Sequence, residues 1–259
     1  MAGVNQTESP YVERNQYLSS LGHEQELAFR ETEGHLDLEF GSEAEWLRCI
    51  TEEFPKFIPF LTDRCGLDFR GRILEIGAGA AWFSAELSKL PAVTEVIATD
   101  FSPRLLKEQA PRIFRLLRAA AHKITRMPGD FHRLDFPDRH FDFAVCSAVL
   151  HHAVDMTQAL REVRRVLKPG GRFVAIREPV WPLIKFRSRS RTQARLIAAG
   201  VNEHLYTLAE YRQRFAEAGW VLEPRRVNLS SGFKFLFNEL VNGLTHARYA
   251  FIAAPEKSV

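Results

Sequence analysis

A glycine-rich turn carries the strongest chemical signal in the chain. Gly77 and Gly79 are separated by one residue, and they follow an apolar run that contains Glu75. Glycine has no side chain, so backbone N–H groups at such a turn can approach a bound molecule closely, and the backbone can take angles closed to other residues. The apolar run is therefore predicted to be a buried strand that ends in a ligand-binding turn.

The residue after the turn argues against one class of ligand. A dinucleotide-binding turn needs a small residue three positions after its second glycine, so that helix and strand can pack beside the pyrophosphate. That position is Trp82, which argues against NAD or FAD. In addition, none of the five tyrosines has a lysine four residues later, so the Tyr-x-x-x-Lys pair of short-chain dehydrogenases is absent.

Strand patterns and helix patterns alternate along the chain from this turn onward. Alternation of this kind predicts a mostly parallel sheet with helices on both faces. The turn Lys168-Pro169-Gly170-Gly171 is predicted to end a helix and lead into the fifth strand. The predicted strands are 72–77, 94–99, 123–127, 141–147, 171–177, and two more near 220–228 and 248–254.

The sheet is preceded by a helical segment. Ser42 and Glu45 form a capping-box pattern ahead of apolar residues at helical spacing, and Pro55 and Pro59 are expected to bend or end that helix. The predicted organisation is a helical extension or lid over 1–65, followed by one α/β domain over 66–259. That domain carries an insert at about 180–206, and Thr207 with Glu210 forms a second capping box after it.

Residues at the ends of the predicted strands can recognise a nucleoside. In a doubly wound sheet, ligands bind beyond the carboxyl ends of the strands. Asp100 ends the second strand, where a carboxylate can accept both hydroxyls of a ribose, or can simply favour the start of the helix that begins at Ser102. Asp130 can accept from an adenine amino group beside Phe131, although Gly129-Asp130 is equally ordinary turn chemistry.

Taken in order, these motifs resemble the class I S-adenosylmethionine-dependent methyltransferases, most closely the branch with a histidine pair after strand four. The resemblance covers roughly 72–178 and implies a Rossmann-like seven-stranded sheet whose last strand is antiparallel. It also implies S-adenosyl-L-methionine as the cofactor. The motifs that carry it are Leu74-Glu-Ile-Gly-Ala-Gly, Asp100, Gly129-Asp130, Phe141-Asp142 to Leu150-His-His, and Arg164-Arg-Val-Leu-Lys-Pro-Gly-Gly.

The resemblance also assigns cofactor contacts. Glu75 and the glycine turn are implied beside the methionine part, Asp100 at the ribose, and Ser147 near the sulfonium arm. One departure is Ala81, where the family often has glycine, and alanine is expected to tighten the turn without abolishing binding. A helix over 43–61 is implied to cover the cofactor. The full cofactor set is Glu75, Gly77, Ala78, Gly79, Asp100, Phe101, Asp130, Phe131 and Ser147.

The methyl transfer itself asks little of the protein. The sulfonium methyl is already electrophilic, so the site must mainly align a nucleophile and exclude water, and a general base helps when the nucleophile is a hydroxyl. The histidine pair is equally compatible with a structural role, and the polar stretch 202–206 could be a loop that caps the next helix. The candidate bases are His151, His152, Glu178, His204 and Tyr206.

Composition narrows the class of protein further. The chain has 259 residues, 46% of them hydrophobic, and a formal net charge of +3, which gives no whole-chain signal for nucleic-acid binding. Three cysteines without a C-x-x-C pair favour a reducing compartment and give no zinc framework, so no metal is predicted. No signal-peptide core or membrane-spanning run is present, which predicts a cytoplasmic protein.

The predicted partner is a small-molecule methyl acceptor. Arginines in the insert could meet a phosphate, a carboxylate or an RNA backbone, but no aromatic residues alternate with them as base stacking would require. The leading hypothesis is methyl transfer to O or N of a metabolite, natural-product or sugar-like acceptor. The alternatives are an RNA or protein methyltransferase and a non-catalytic cofactor-binding module, and a homodimer contact through 1–60 stays open. The arginines are Arg187, Arg189, Arg191 and Arg195.

Overall fold

The structure is a computed structural model. Statements about structure below concern the part of the chain that it describes. The arginines of the predicted insert and Asn202 lie outside that part. The described residues are 8–13, 24–31, 40–181, 197–198, 201, 203–230, 234–236 and 249–256.

A seven-stranded sheet forms the centre of the molecule, in the order β3-β2-β1-β4-β5-β9-β8. Strands β1 to β5 pair in parallel, whereas β9 pairs antiparallel with both β5 and β8. The prediction of a Rossmann-like sheet with one antiparallel strand at the end of the chain is therefore confirmed. The strands are β1 Gly71–Ile76, β2 Val93–Asp100, β3 Ile124–Pro128, β4 Phe141–Ser147, β5 Leu167–Glu178, β6 Val180–Trp181, β7 Tyr206–Thr207, β8 Trp220–Arg226 and β9 Tyr249–Pro255.

The fifth strand starts earlier than the sequence pattern predicted. Phe141 pairs with Leu167, and the register then shifts so that Phe143 pairs with Arg172. The chain therefore joins the sheet before it turns through Gly170 and Gly171, and the predicted turn becomes an irregularity within β5. Elsewhere the predicted strand limits agree with the observed ones to within about two residues, because buried parallel strands read as apolar runs.

Helices cover both faces of the sheet, as predicted. One buried cluster joins the sheet to α3, α4 and the segment 43–64, while a second joins the opposite face to α5 and α6. No helix in the described ranges is long and apolar enough to cross a membrane. The α-helices of four or more residues are α1 Glu24–Arg30, α2 Glu43–Arg48, α3 Trp82–Ser88, α4 Ala110–Leu117, α5 Met156–Val166 and α6 Leu208–Glu217.

The segment 43–64, here called the helical cover, is continuous despite its two prolines. It changes helix type along its length, with π-helical turns at Cys49–Glu53 and Phe60–Arg64 and a 3₁₀ turn at Phe54–Lys56. A proline removes one backbone donor, so the hydrogen-bond pattern changes at these positions instead of ending. The Ser42 side chain caps the first turn by accepting from the Glu45 N–H. The predicted helix thus forms with local changes of pitch.

A small second sheet closes the base of the predicted insert. Val180–Trp181 and Tyr206–Thr207 pair in parallel directly after β5 and before α6. Thr207 and Glu210 form the complete capping box that the sequence predicted at the start of α6. Pairing of the two ends brings residues 203–206 back beside the carboxyl end of β5, next to the strand ends where the candidate site lies.

Candidate active site

A cavity of about 290 Å³ lies beyond the carboxyl ends of β1, β2, β4 and β5. Strands β2 and β3 lie on one side of β1, and β4 and β5 lie on the other, so the strand order reverses at β1. Ligands bind at such a reversal, and the cavity lies there. Its volume is close to the lower end of the usual range for small-molecule pockets, about 300 Å³. A larger groove, rich in arginine, lies near the start of β5 and contains none of the predicted site residues.

The glycine turn forms the floor of this cavity. Gly77 and Gly79 both have left-handed backbone angles, with φ of 58° and 54°. A Cβ atom on Gly77 would lie 2.6 Å from two methyl carbons of Val149, whereas one on Gly79 would have no described atom within 4 Å. Gly77 is therefore required by packing against the segment after β4, and Gly79 leaves open space for a ligand.

Glu75 lies behind the turn and braces it. Its carboxyl group is buried and accepts from the backbone N–H of Ser84 at 2.8 Å and also from the Ser84 hydroxyl. Burial raises the pKa of Glu75 to about 8, against the smaller opposing effect of the two Ser84 donors. The carboxyl group thus links β1 to α3, and Glu75 is not among the described residues that line the cavity.

Asp100 lies at the end of β2 and faces the cavity. One carboxylate oxygen accepts from the Gly79 N–H at 2.7 Å, and the other accepts from the Ser102 N–H at 2.8 Å. Burial raises the pKa of Asp100, while these two N–H donors act in the opposite direction. The structure is compatible with both roles predicted for Asp100: it accepts a hydrogen bond at the start of the next helix, and it also lines the cavity beside Phe101.

The third strand end contributes an aromatic wall. Phe131 lines the cavity, and its ring lies 4.5 Å from that of His132. One oxygen of Asp130 lies 2.7 Å from Nδ1 of His132 and accepts from the His132 backbone N–H at 2.9 Å. Asp130 is not among the described lining residues, so the structure shows it orienting a buried histidine behind Phe131.

Arg177 joins the sheet to the helical cover above the cavity. Its backbone is left-handed, with φ of 61°, and its guanidinium donates to the Ser147 hydroxyl at 3.2 Å. The same guanidinium lies 3.7 Å from the centre of the Phe54 ring, which in turn packs 4.9 Å from the Trp82 ring. The helical cover therefore lines the cavity, with Trp46 and Ile50 beside Phe54.

His151 is held by the buried carboxylate of Glu178. The Glu178 oxygens accept backbone N–H groups from Val149 at 2.8 Å and Leu150 at 3.1 Å, and one oxygen lies 2.9 Å from Nδ1 of His151. A carboxylate accepts hydrogen bonds, so Nδ1 carries a proton, and Nε2 offers a lone pair when the ring is neutral. His151 lines the cavity, whereas Glu178 lies behind it. Glu178 therefore sets the tautomer and the orientation of His151.

Glu203 meets the histidine pair from the opposite side. Its Oε1 atom lies 3.9 Å from Nε2 of His151 and 4.0 Å from Nδ1 of His152. The backbone N–H of His204 donates to the His151 carbonyl at 3.0 Å, which fixes this segment against the turn after β4. The His204 and Tyr206 rings are 5.6 Å apart, and neither residue is among the described lining residues.

The structure thus divides the predicted site residues into a cavity wall and a supporting layer. The sequence analysis missed Arg177 and Glu203 as site residues, although their positions at a strand end and in the polar stretch 202–206 were signals. The supporting residues are Glu75, Asp130, Glu178, His204 and Tyr206. The predicted residues that line the cavity are Gly77, Ala78, Gly79, Asp100, Phe101, Phe131, Ser147, His151 and His152.

Comparisons with known proteins assign the central part of the chain to a family. Residues 74–175 match a family model described as a methyltransferase domain. The ubiquinone/menaquinone biosynthesis C-methyltransferase UbiE of Pseudomonas putida (strain GB-1) is 33% identical over 132 residues, which is 51% of this chain and 50% of that protein. The chain thus spans about half the length of the curated relatives it matches.

Two solved structures show the same fold over more of the chain. The YcgJ protein of Bacillus subtilis superposes with a TM-score of 0.59 at 20% identity, over 80% of this chain and 100% of that one. Phosphoethanolamine N-methyltransferase 2 of Haemonchus contortus, solved in complex with S-adenosyl-L-methionine, gives a TM-score of 0.62 at 16% identity, over 89% of this chain and 60% of that one.

Residues 74–175 are therefore assigned to the methyltransferase-domain family, and the chain shares its fold with solved S-adenosylmethionine-dependent methyltransferases. The family match covers the glycine turn, Asp100 and the histidine pair, but it ends before Arg177 and Glu203. The closer likeness to a branch with a histidine pair stays a prediction.

Proposed function

We propose that the whole chain is an enzyme that transfers a methyl group from S-adenosyl-L-methionine to oxygen or nitrogen of a small-molecule acceptor. One observation carries the proposal: the glycine turn and Asp100 line the same cavity as a histidine that a buried carboxylate orients. A cofactor-binding module alone would not need an oriented histidine facing its ligand. The pairing of a cofactor wall with such a group is the arrangement that general-base catalysis uses.

The described residues suit the cofactor. The open space at Gly79 admits a ligand close to the backbone, and the buried Asp100 carboxylate suits donors such as ribose hydroxyls. Phe131 offers an apolar surface to an adenine ring, and Ser147 lines the same cavity and is proposed to meet the sulfonium arm. Bound there, the cofactor supplies an electrophilic methyl group. We propose these contacts for Asp100, Phe131 and Ser147 together with the glycine turn.

His151 is the proposed general base. Its Nε2 atom takes the proton of an acceptor hydroxyl as the oxygen lone pair attacks the methyl carbon, and the electrons of the broken C–S bond return to sulfur as a thioether. Glu178 is a positioning residue, because it contacts His151 and not the cavity. His152 is a second candidate, and His204 and Tyr206 support the segment that carries Glu203. Burial lowers the pKa of His204 and raises that of Tyr206.

Carbon is a second candidate for the acceptor atom. The named activity of the UbiE relative is C-methylation, although the similarity covers half of that protein. Removal of a proton from a ring hydroxyl makes neighbouring ring carbons nucleophilic, so the same histidine would serve either outcome. The position of the new methyl group in the product, read by NMR, separates these two candidates.

Cofactor binding tests the proposal first. Calorimetry with the demethylated product, S-adenosyl-L-homocysteine, should show one site per chain, and Asp100→Ala should weaken it by about tenfold or more, since a buried carboxylate with several donors is lost. Asp68→Ala is the matched control, because Asp68 is exposed and pairs with Arg70 away from the cavity. A screen with isotope-labelled methyl donor then identifies the acceptor. Absence of cofactor binding by the unmodified chain would refute the proposal.

A further inference from the structure

Three potential metal ligands converge in the cavity. They are one ring nitrogen of His151, one ring nitrogen of His152 and a carboxylate oxygen of Glu203, and these atoms lie within 4.8 Å of one another. The Glu203 oxygen is 3.9 Å from Nε2 of His151 and 4.0 Å from Nδ1 of His152. The side chains are largely buried, with 7%, 15% and 7% of their surface exposed. All three line the same cavity.

This donor set has a known chemical preference. Two imidazole nitrogens and one carboxylate bind divalent first-row transition metal ions and leave further coordination positions open. Bonds of about 2.0–2.2 Å place two ligands of one ion roughly 3.0–3.5 Å apart. The two distances to Glu203 exceed that range by about half an ångström, and the two histidine nitrogens lie within 4.8 Å of each other, so side-chain rotations would bring the three ligands to the ion. The geometry is therefore close to that of a three-ligand site with room for a substrate atom.

The surroundings of His151 supply a second, independent observation. A histidine that binds a metal through one nitrogen usually donates its other N–H to a carboxylate or carbonyl. Glu178 accepts from Nδ1 of His151 at 2.9 Å, which leaves Nε2 as the ligand atom on the side of Glu203. The backbone bond from His204 to the His151 carbonyl holds the segment of Glu203 in place. The outer carboxylate and the fixed second segment together resemble a prepared metal site.

We propose that His151, His152 and Glu203 bind one divalent transition metal ion of the zinc or iron(II) type. The ion would lie on the acceptor side of the cavity, apart from Asp100 and the glycine turn. Binding of the ion does not depend on the proposed function, whereas the role of the ion in methyl transfer rests on it. An acceptor hydroxyl that coordinates the ion loses its proton to water at a lower pH, because the positive charge stabilises the oxyanion.

Methyl transfer then proceeds from the coordinated oxygen. An oxygen lone pair forms the new O–CH₃ bond, the S–CH₃ bond breaks, and its electron pair neutralises the sulfonium. When the ion is bound, His151 is a ligand, so the acceptor proton goes to solvent; His151 acts as the general base only in the metal-free site. Acceptors with two adjacent oxygen atoms would fit best, since they can occupy two open positions on the same ion.

Metal binding can be measured without any acceptor. The full chain, free of any histidine tag and dialysed against EDTA, is titrated with Co²⁺ by visible absorption and with Zn²⁺ by calorimetry. We expect one ion per chain, a dissociation constant of about 10 µM or below, and cobalt d–d bands. Glu203→Gln and His152→Ala should each weaken binding by about tenfold or more. His122→Ala, an exposed histidine far from the cavity, is the matched control.

The outcomes separate this inference from the proposed function. Absence of cobalt bands, or unchanged affinity in both variants with native circular dichroism, would overturn the metal site. If S-adenosyl-L-homocysteine still binds the EDTA-treated chain in that case, the proposed function stands and only the metal site fails. If the chain instead binds the metal but does not bind S-adenosyl-L-homocysteine, the metal site stands and the proposed function fails. If His152→Ala loses stability, the conservative variant Glu203→Gln still tests the metal site.

Discussion

The two sides of the cavity are constructed in different ways. The cofactor side consists of backbone groups and one carboxylate within a short stretch of chain, with Gly79 bonded to Asp100 across two adjacent strands. The acceptor side consists of side chains from three separate segments, namely His151 after β4, Glu178 at the end of β5 and Glu203 near the end of the insert. The backbone groups of the cofactor side therefore suit one fixed ligand, whereas the side chains of the acceptor side can be exchanged to suit a different acceptor.

This difference predicts that substitutions on the two sides have separable effects. A change on the cofactor side should affect folding and cofactor affinity together, because the same backbone serves both. A change on the acceptor side should affect turnover while cofactor affinity stays the same.

The largest effect is expected at His151. His151→Ala should lower the rate of methyl transfer by about 10²–10⁴-fold, the usual contribution of a positioned acid or base. The affinity for S-adenosyl-L-homocysteine should change by less than about twofold, since His151 is not among the proposed cofactor contacts. Turnover is measured with the acceptor found by the isotope screen, and affinity by calorimetry. A parallel loss of both quantities would contradict the separation of the two sides.

Glu178→Gln is the companion to that substitution. Glutamine keeps an acceptor for the turn but cannot hold the His151 tautomer as a carboxylate does. We expect a smaller rate loss, of about tenfold to a hundredfold, together with a shifted pH–rate profile. A lower melting temperature with an unchanged profile would instead assign Glu178 a purely structural role.

The second largest effect is expected on the cofactor side, at Gly77. Gly77→Ala should lower the free energy of unfolding by about 2–5 kcal/mol, from backbone strain of about 1–2 kcal/mol and the clash with Val149. Gly79→Ala is the matched control, because it carries similar strain but no clash. It should cost about 1–2 kcal/mol and weaken cofactor binding, since its methyl group enters open space. Urea denaturation of both variants measures the difference, and equal losses would contradict it.

The same difference explains what could be predicted from the sequence. Gly77, Gly79 and Asp100 are readable because local chemistry requires them: left-handed turns select glycine, and strand ends in this fold face the ligand. The mostly parallel sheet follows from strand–helix alternation. Local rules also predicted the helix after Ser42, whose covering role came from the family resemblance, although the changes of helix type near Pro55 were not foreseen.

Fewer residues on the acceptor side could be predicted from the sequence. Glu203 reaches the histidines only because β6 and β7 pair and because His204 bonds to His151, and neither contact leaves a periodic pattern in the sequence. Arg177 has a left-handed backbone without being glycine, so its type gives no hint of its position over Phe54. Such contacts depend on tertiary packing between distant segments, which single-sequence patterns do not encode.

A comparable effect concerns pH and Glu75. Burial raises the pKa of Glu75 to about 8 in the folded chain, so the folded state keeps a proton that the unfolded state releases above about pH 4.5. Its contribution to stability is therefore fully present below that pH and is lost as the pH rises toward 8. Relative to the unmodified chain, the free energy of unfolding of Glu75→Gln should therefore rise by about 3–4 kcal/mol as the pH goes from 5 to 8. Urea denaturation at several pH values tests this, and a constant difference would contradict it.

The smallest effect is expected at Ala81, where the family often has glycine. Ala81 has φ of 55° and ψ of 37° at the start of α3, which strains a residue with a Cβ by about 1–2 kcal/mol. Glycine would relieve that strain, but it would lose about 0.8 kcal/mol of buried methyl group and add about 0.5–1 kcal/mol of unfolded-chain entropy. These terms nearly cancel, so Ala81→Gly should change the free energy of unfolding by less than about 1 kcal/mol. A gain above about 2 kcal/mol would show that the turn stores strain on the cofactor side.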